Sequence, residues 1–437
     1  MTDTSSSTAP SQRPRLWVRR LLLALLLFVL TLTALVAWLN VRGEAAVDDN
    51  NAAASFTATP QQIAQGAYVA RAGNCAACHT ARGGADYAGG LGIATPFGTV
   101  NTSNLTPDAE TGLGRWTPAT FWRAMHHGRS ADGHLLVPVF PYTSYTQVNR
   151  ADSDALFAYL RSLPAVAQAN RPHELAFPYN SQVALAVWRA LFFRAAEFAP
   201  DPVQTAQWNR GAYLVRGPGH CAACHAERNV LGATSGAQAL QGGVIPMQHW
   251  YAPSLASARE AGVADWSTAQ VVALLKNGTS DHGSVMGPMA DVVFGSTQHL
   301  LDADLEAIAV FLKALPPQTL APRTVKAPAP SQFASGEKIY KEHCAQCHGE
   351  QGEGARGAYP ALAGNRVVTM EQSANLLQIV LHGGYPPATA GNPRPYGMPP
   401  FQQTLDGPQI AAVLSYIRHA WGHAASPVSA LEVMQQQ

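Results

Sequence analysis

The pattern Cys-x-x-Cys-His occurs three times, at Cys75-Ala-Ala-Cys78-His79, Cys221-Ala-Ala-Cys224-His225 and Cys344-Ala-Gln-Cys347-His348, and it uses all six cysteines of the chain. This spacing is the attachment signature of c-type haem. Two thiols on one helical turn can form thioethers with the two vinyl groups, while the adjacent imidazole faces the iron. The sequence therefore predicts three covalently attached haem c groups, with Cys75, Cys78, Cys221, Cys224, Cys344 and Cys347 as anchors and His79, His225 and His348 as proximal ligands. A structural zinc site would need a second Cys or His pair to close each tetrahedron, and the motifs lie far apart. Disulfides closing two-residue loops would be poor staples.

The segment 21–41, LLLALLLFVLTLTALVAWLNV, carries no charge. At about 1.5 Å per residue it spans the roughly 30 Å of a bilayer core. Arg13, Arg15, Arg19 and Arg20 precede it and Glu44, Asp48 and Asp49 follow, which leaves the N-terminus (1–20) cytoplasmic and the rest periplasmic. The expectation is a single-pass anchor in the cytoplasmic membrane. A cleaved leader is the competing account, but the apolar run exceeds a normal leader core and no small-x-small site ends it. Only 13% of residues are charged and the net charge is +1, with no basic stripe, which argues against nucleic-acid binding.

An internal repeat organises the remainder. Gln65-Gly66-Ala67-Tyr68 before the first motif resembles Arg210-Gly211-Ala212-Tyr213 before the second, and Trp116–Gly128 lies without gaps on Trp266–Gly278. The third unit is more distant, with Gly336 leading to its motif. Each unit closes on an apolar-periodic helix, beginning near Asp154, Asp304 and Gln409. Gly66, Gly211 and Gly336 either let these helices cross closely or merely start a helix. The expected fold is all-α, with three tandem haem domains (60–163, 206–315 and 332–421) behind one N-terminal transmembrane helix. A segment with an apolar helix (164–205) joins the first two domains, a Pro-rich linker (316–331) precedes the third, and a tail (422–437) follows. The helix within 164–205, near Val183–Phe193, is too short to span a membrane. It either packs between the first two domains or lies at the bilayer surface or a quinone site.

An electron-transfer haem commonly takes methionine opposite histidine. Met398 in Tyr396-Gly-Met-Pro-Pro-Phe401 and Met289 in Met286-Gly-Pro-Met289 occupy loops suited to this role. The first unit has Val139-Phe140 at the corresponding place, and neither side chain can bind iron. Met125 at the end of its middle helix is the proposed replacement. His126, His127, His134 and an open iron are the alternatives.

Taken together, Asn104-Leu-Thr-Pro107, Gly114-Arg-Trp116, Pro141-Tyr142, Trp208-Asn-Arg-Gly-Ala-Tyr213 and Met398-Pro-Pro-Phe401 resemble the triheme cytochrome c subunits of periplasmic membrane-bound dehydrogenases. That resemblance covers nearly all of 60–421 and implies three tandem cytochrome c domains. It implies a catalytic dehydrogenase partner of molybdenum, pyrroloquinoline quinone (PQQ) or flavin type, and ubiquinone or the respiratory chain as acceptor. Many members carry Met-Pro-Tyr where this chain has Phe140-Pro-Tyr142. The Phe variant resembles subunits of molybdenum hydroxylases and points to an aldehyde or N-heterocycle as the partner's substrate. No acid/base or nucleophilic set stands outside the motifs, so no catalytic residue is expected. The alternative function is a haem enzyme, peroxidase-like or a sulfur-compound oxidoreductase, using an open first haem.

Overall fold

The computed structural model describes residues 13–44, 56–234, 240–318 and 323–437. Residues 1–12, 45–55, 235–239 and 319–322, the last within the Pro-rich linker, lie outside the described residues. First among the described residues is a 29-residue helix, Arg13–Val41, whose apolar stretch Leu16–Val41 is long enough to cross a bilayer and is not buried by the other described residues.

Three crossed helix pairs follow: Pro60–Ala72 with Arg150–Ser162, Ala206–Arg216 with Asp302–Lys313, and Pro330–His343 with Gly407–Ile417. Local chemistry starts and stops these helices. Thr59 and Gln62 form a capping box before Pro60, as Asp406 and Gln409 do for the third closing helix. Between the members of each pair lies a middle helix: Pro118–His127, Thr268–Asn277 and Ala374–His382, each ended by a glycine with positive φ, Gly128, Gly278 and Gly383.

Each pair organises its own apolar cluster: Val69, Phe121, Met125, Leu156 and Phe157 in the first, Leu214, Val271, Leu305 and Phe311 in the second, Tyr340, Leu377, Ile410 and Leu414 in the third. A fully buried side chain such as Phe157 contributes about 1.5–3 kcal/mol. The pairs cross at glycine. A Cβ on Gly66 would lie 1.9 Å from the Ala155 carbonyl oxygen, on Gly211 1.9 Å from that of Ala307, and on Gly336 2.2 Å from that of Ala412. Of the two roles expected for these glycines, the structure shows close approach.

The fold is helix-rich rather than wholly α. Gly92–Thr95 pairs antiparallel with Gly98–Asn101, Gly92 facing Asn101, and Glu174–Leu175 adds a third strand. Gly243–Ile245 pairs with Trp250–Ala252, and Thr279–Ser280 with Gly283–Ser284. The strands are short and interspersed with glycine, so their alternation is too brief to register as a sequence pattern.

Residues 422–437, read from sequence as a polar tail, are packed. Val428 and Val433 are buried against the third cluster, and Ser429 caps the helix Ala430–Met434 with Glu432. Beneath them Arg418 is buried and donates to the carbonyls of Val368, Met370 and Ser426. Burial first, and Arg323 second, push its guanidinium down to about 10.

The connecting helix Gln182–Phe192 touches both neighbouring units and the N-terminal helix. Trp188 Nε1 donates to Leu231 O of the second unit at 2.8 Å, and Arg189 donates to His127 O of the first at 2.6 Å. Asn40 near the end of the N-terminal helix donates to Ala186 O and accepts from Arg189, at 2.9 Å each. Arg129 donates to Asn40 O, placing a cation at that helix's carboxyl end, and pairs with Glu44 at 3.1 Å.

Candidate functional site

The three motifs occupy matching short helices, Cys75–His79, Ala222–His225 and Ala345–His348. In each, the histidine Nδ1 meets a backbone carbonyl: Ser103 O at 2.7 Å, Pro253 O at 2.7 Å and Pro360 O at 3.0 Å. A carbonyl only accepts, so Nδ1–H donates and Nε2 keeps its lone pair free. This is the arrangement that orients an imidazole as a metal ligand. Burial lowers the pKa of all three rings, against the opposing backbone bonds, and keeps them neutral.

Burial first, and the partner cysteine second, push the thiols of Cys75 and Cys221 up to about 12 and that of Cys344 up to about 11. Thiols so poorly ionised do not suit nucleophilic chemistry. Adjacent thiols beside an imidazole with a fixed tautomer fit covalent haem attachment.

The distal candidates fall unequally. Met125 is buried in the first cluster, on which Cys75, Ala76 and Phe140 also pack. Met398 packs on the third cluster together with Cys344, and its backbone bridges Gly384. Met289 packs with Val285, Ala290, Val293 and Leu274, apart from the cluster that holds Cys221. The methyl of Met286 lies against Gly384 of the third unit. His134 is exposed and paired with Asp132 at 2.6 Å. His126 stacks on Trp122, and His127 sits edge-on to it. Burial first, then His126 and the guanidinium groups of Arg189, Arg129 and Arg123, push His127 down to about 4.

The first two motifs are brought together. Burial first and then Cys224 raise the thiol pKa of Cys78, which puts the second unit's thiol within electrostatic reach of the first's. His220 Nε2 lies 3.2 Å from Gly73 O, and Ser296 donates to Ala72 O. A reciprocal exchange seals this contact. The Tyr68 hydroxyl of the first unit donates to Asp304 of the second, and the Tyr213 hydroxyl of the second donates to Asp152 of the first. Gln65 and Arg210, one helical turn earlier, bond the same two aspartates from within their own units. Equivalent residues exchange equivalent contacts, as across a two-fold axis. The Gly-Ala-Tyr repeat was visible in the sequence, but its partner across the units was not.

The third unit joins the second through Asn375. Its side chain donates to Tyr251 O at 2.8 Å and accepts from Tyr251 N at 2.9 Å. Arg366 reaches Gly262 O and Asp265.

Comparison with known proteins follows the same outline. The sequence profile of cytochrome c matches residues 63–164 and 333–421. The cytochrome c subunit of a quinone alcohol dehydrogenase from Gluconacetobacter polyoxogenes is 40% identical over 380 residues, covering 83% of this chain and 81% of that protein. The gluconate 2-dehydrogenase cytochrome c subunit of Pantoea cypripedii is 36% identical over 83% of this chain and 86% of its own length. A nicotinate dehydrogenase subunit of Pseudomonas putida is 43% identical over 82% of this chain, which spans 30% of that protein. By the motifs, their fixed imidazoles and this extent of similarity, the chain belongs to the family of cytochrome c subunits of dehydrogenases.

Proposed function

We propose that this chain is the electron-transfer subunit of a periplasmic dehydrogenase, tethered to the cytoplasmic membrane by Arg13–Val41. It carries three haem c groups in three tandem cytochrome c domains and passes electrons from the catalytic partner to ubiquinone or the respiratory chain. When bound, haem supplies reversible one-electron transfer at iron. Cys75 and Cys78, Cys221 and Cys224, and Cys344 and Cys347 would fasten the three groups. His79, His225 and His348, with their Nδ1 atoms committed to carbonyls, would present Nε2. Met289 and Met398 would supply the opposite ligand in the second and third units. The observation that carries this reading is the repeated imidazole anchoring beside buried, adjacent thiols.

In the first unit we assign the opposite ligand to Met125. It shares a cluster with Cys75, whereas His134 is held at the surface by Asp132 and His126 is stacked on Trp122. Met125→Leu is expected to turn one haem in three from six-coordinate low-spin to high-spin, read by visible and resonance Raman spectra. Three unchanged low-spin haems would refute the assignment.

The similarity to alcohol, gluconate and nicotinate dehydrogenase subunits supports a small oxidisable organic substrate for the partner. The resemblance carried by Phe140-Pro-Tyr142, together with the similarity to a nicotinate dehydrogenase subunit, supports a molybdenum partner acting on an aldehyde or N-heterocycle. The purified holoprotein should weigh three haems more than its polypeptide. Deleting the chain should abolish dehydrogenase-driven quinone reduction in membranes while the partner still reduces a soluble dye. Quinone reduction that survives the deletion would refute the electron-transfer role.

A further inference from the structure

The connecting helix Gln182–Phe192 is amphipathic in the sense opposite to a water-facing helix. It buries Arg189, 3% exposed, beside Leu185 against the protein and turns Val183, Val187 and Leu191 outward, 75%, 42% and 65% exposed. These three recur every fourth residue and so form one stripe. Phe192 extends the outward apolar surface, and Phe177, just ahead of the helix, is 84% exposed. Trp188 bonds the Leu231 carbonyl, which brings the exposed Val230 and Leu231 of the second unit alongside. A water-facing helix would place its cation outside and its valines within.

The helix is tied to the anchor at one level. Asn40, in the last turn of Arg13–Val41, exchanges hydrogen bonds with Ala186 and Arg189. Glu44, just past that turn, is held by Arg123 and Arg129 of the first unit. The apolar stripe therefore flanks the last turn of the N-terminal apolar helix, where Trp38 and Val41 are also exposed.

We infer that Gln182–Phe192 lies in the headgroup–acyl boundary of the leaflet from which the anchor emerges, with Val183, Val187 and Leu191 in lipid. The first haem unit is then fixed to the membrane by two non-parallel helices, which sets its orientation as well as its tether. This inference rests on the membrane-anchor reading of Arg13–Val41.

The full-length holoprotein, alone and with its catalytic partner, would be reconstituted in phosphatidylglycerol/phosphatidylethanolamine bilayers. These would contain a phospholipid with a diazirine high in one acyl chain, and adducts would be mapped by peptide mass spectrometry after illumination. Adducts are expected on the peptide spanning 183–193 as well as on 21–42, in both preparations. The triple variant Val183→Ser, Val187→Ser, Leu191→Ser should lower the 183–193 yield severalfold and leave the 21–42 yield unchanged. Adducts on 21–42 alone would overturn the inference and leave the anchor standing. An intact mass lacking the N-terminal segment, or no adduct on 21–42, would instead refute the anchor itself. Labelling of 183–193 that disappears once the partner binds would assign the surface to protein and overturn the inference.

Discussion

Gly211→Ala lowers the stability of the second unit by roughly 3 kcal/mol or more. The new Cβ would sit 1.9 Å from the Ala307 carbonyl oxygen and 2.5 Å from its carbon, both backbone atoms that no rotamer change can move. The two helices must separate, which opens the cluster around Leu214, Leu305 and Phe311. The sign is informative because in an unobstructed helix alanine is favoured over glycine by about 1 kcal/mol. Calorimetric melting of the holoprotein checks it, and a melting temperature equal to or above that of the parent would refute the crossing argument. Gly66→Ala, whose Cβ would meet Ala155 O at the same 1.9 Å, should act alike on the first unit.

Asp304→Asn weakens the junction between the first two units, by about 2–4 kcal/mol at neutral pH. The carboxylate accepts from Arg210 and from Tyr68 of the other unit, and asparagine can keep at most part of that set. Burial by itself would raise the pKa of Asp304. The bonds from Arg210 and Tyr68 outweigh it and hold the group below the ordinary 3.8. A depressed carboxyl stabilises the folded form fully above its unfolded pKa and loses that contribution as pH falls through the lower, folded value. The parent should therefore lose stability on acidification below about pH 4 more steeply than Asp304→Asn, so the gap between them narrows there. Denaturant titrations at pH 7 and pH 3 test this. A gap that stays constant or widens toward acid would show that the carboxylate does not hold the junction. Tyr68→Phe, which removes one donor and little volume, should cost less, about 1–2 kcal/mol.

The Cys-x-x-Cys-His motifs, the long apolar N-terminal helix, the helix at each unit's close and the two-fold repeat were legible because each is a local pattern: fixed spacing, an uncharged run, or a period of 3.6. The crossing role of Gly66, Gly211 and Gly336 was half legible, since a glycine in a helix signals either an end or a close approach and only the opposing Ala155, Ala307 or Ala412 decides. Val428 and Val433 escaped notice because two apolar residues among polar ones make no periodicity. The short hairpins escaped because their strands are two to four residues long. The Tyr68–Asp304 bond joins residues 236 apart, and no local rule links them. The helix Gln182–Phe192 was read both as a connector between units and as a bilayer-surface helix. Its bonds to His127 and Leu231 set it against both units, and its outward valines motivate the other reading.

The swap of Tyr68 for Tyr213 across the first two units has an implication for the flow of charge. A pathway assembled from mirrored halves is equally good in both directions, so its layout alone confers no forward bias. That bias has to be encoded where the halves fail to match. Gln65 stands opposite Arg210, a neutral amide against a fixed cation, and Val139 stands opposite Met289. Unmatched positions such as these are where a slope from donor to acceptor would be set.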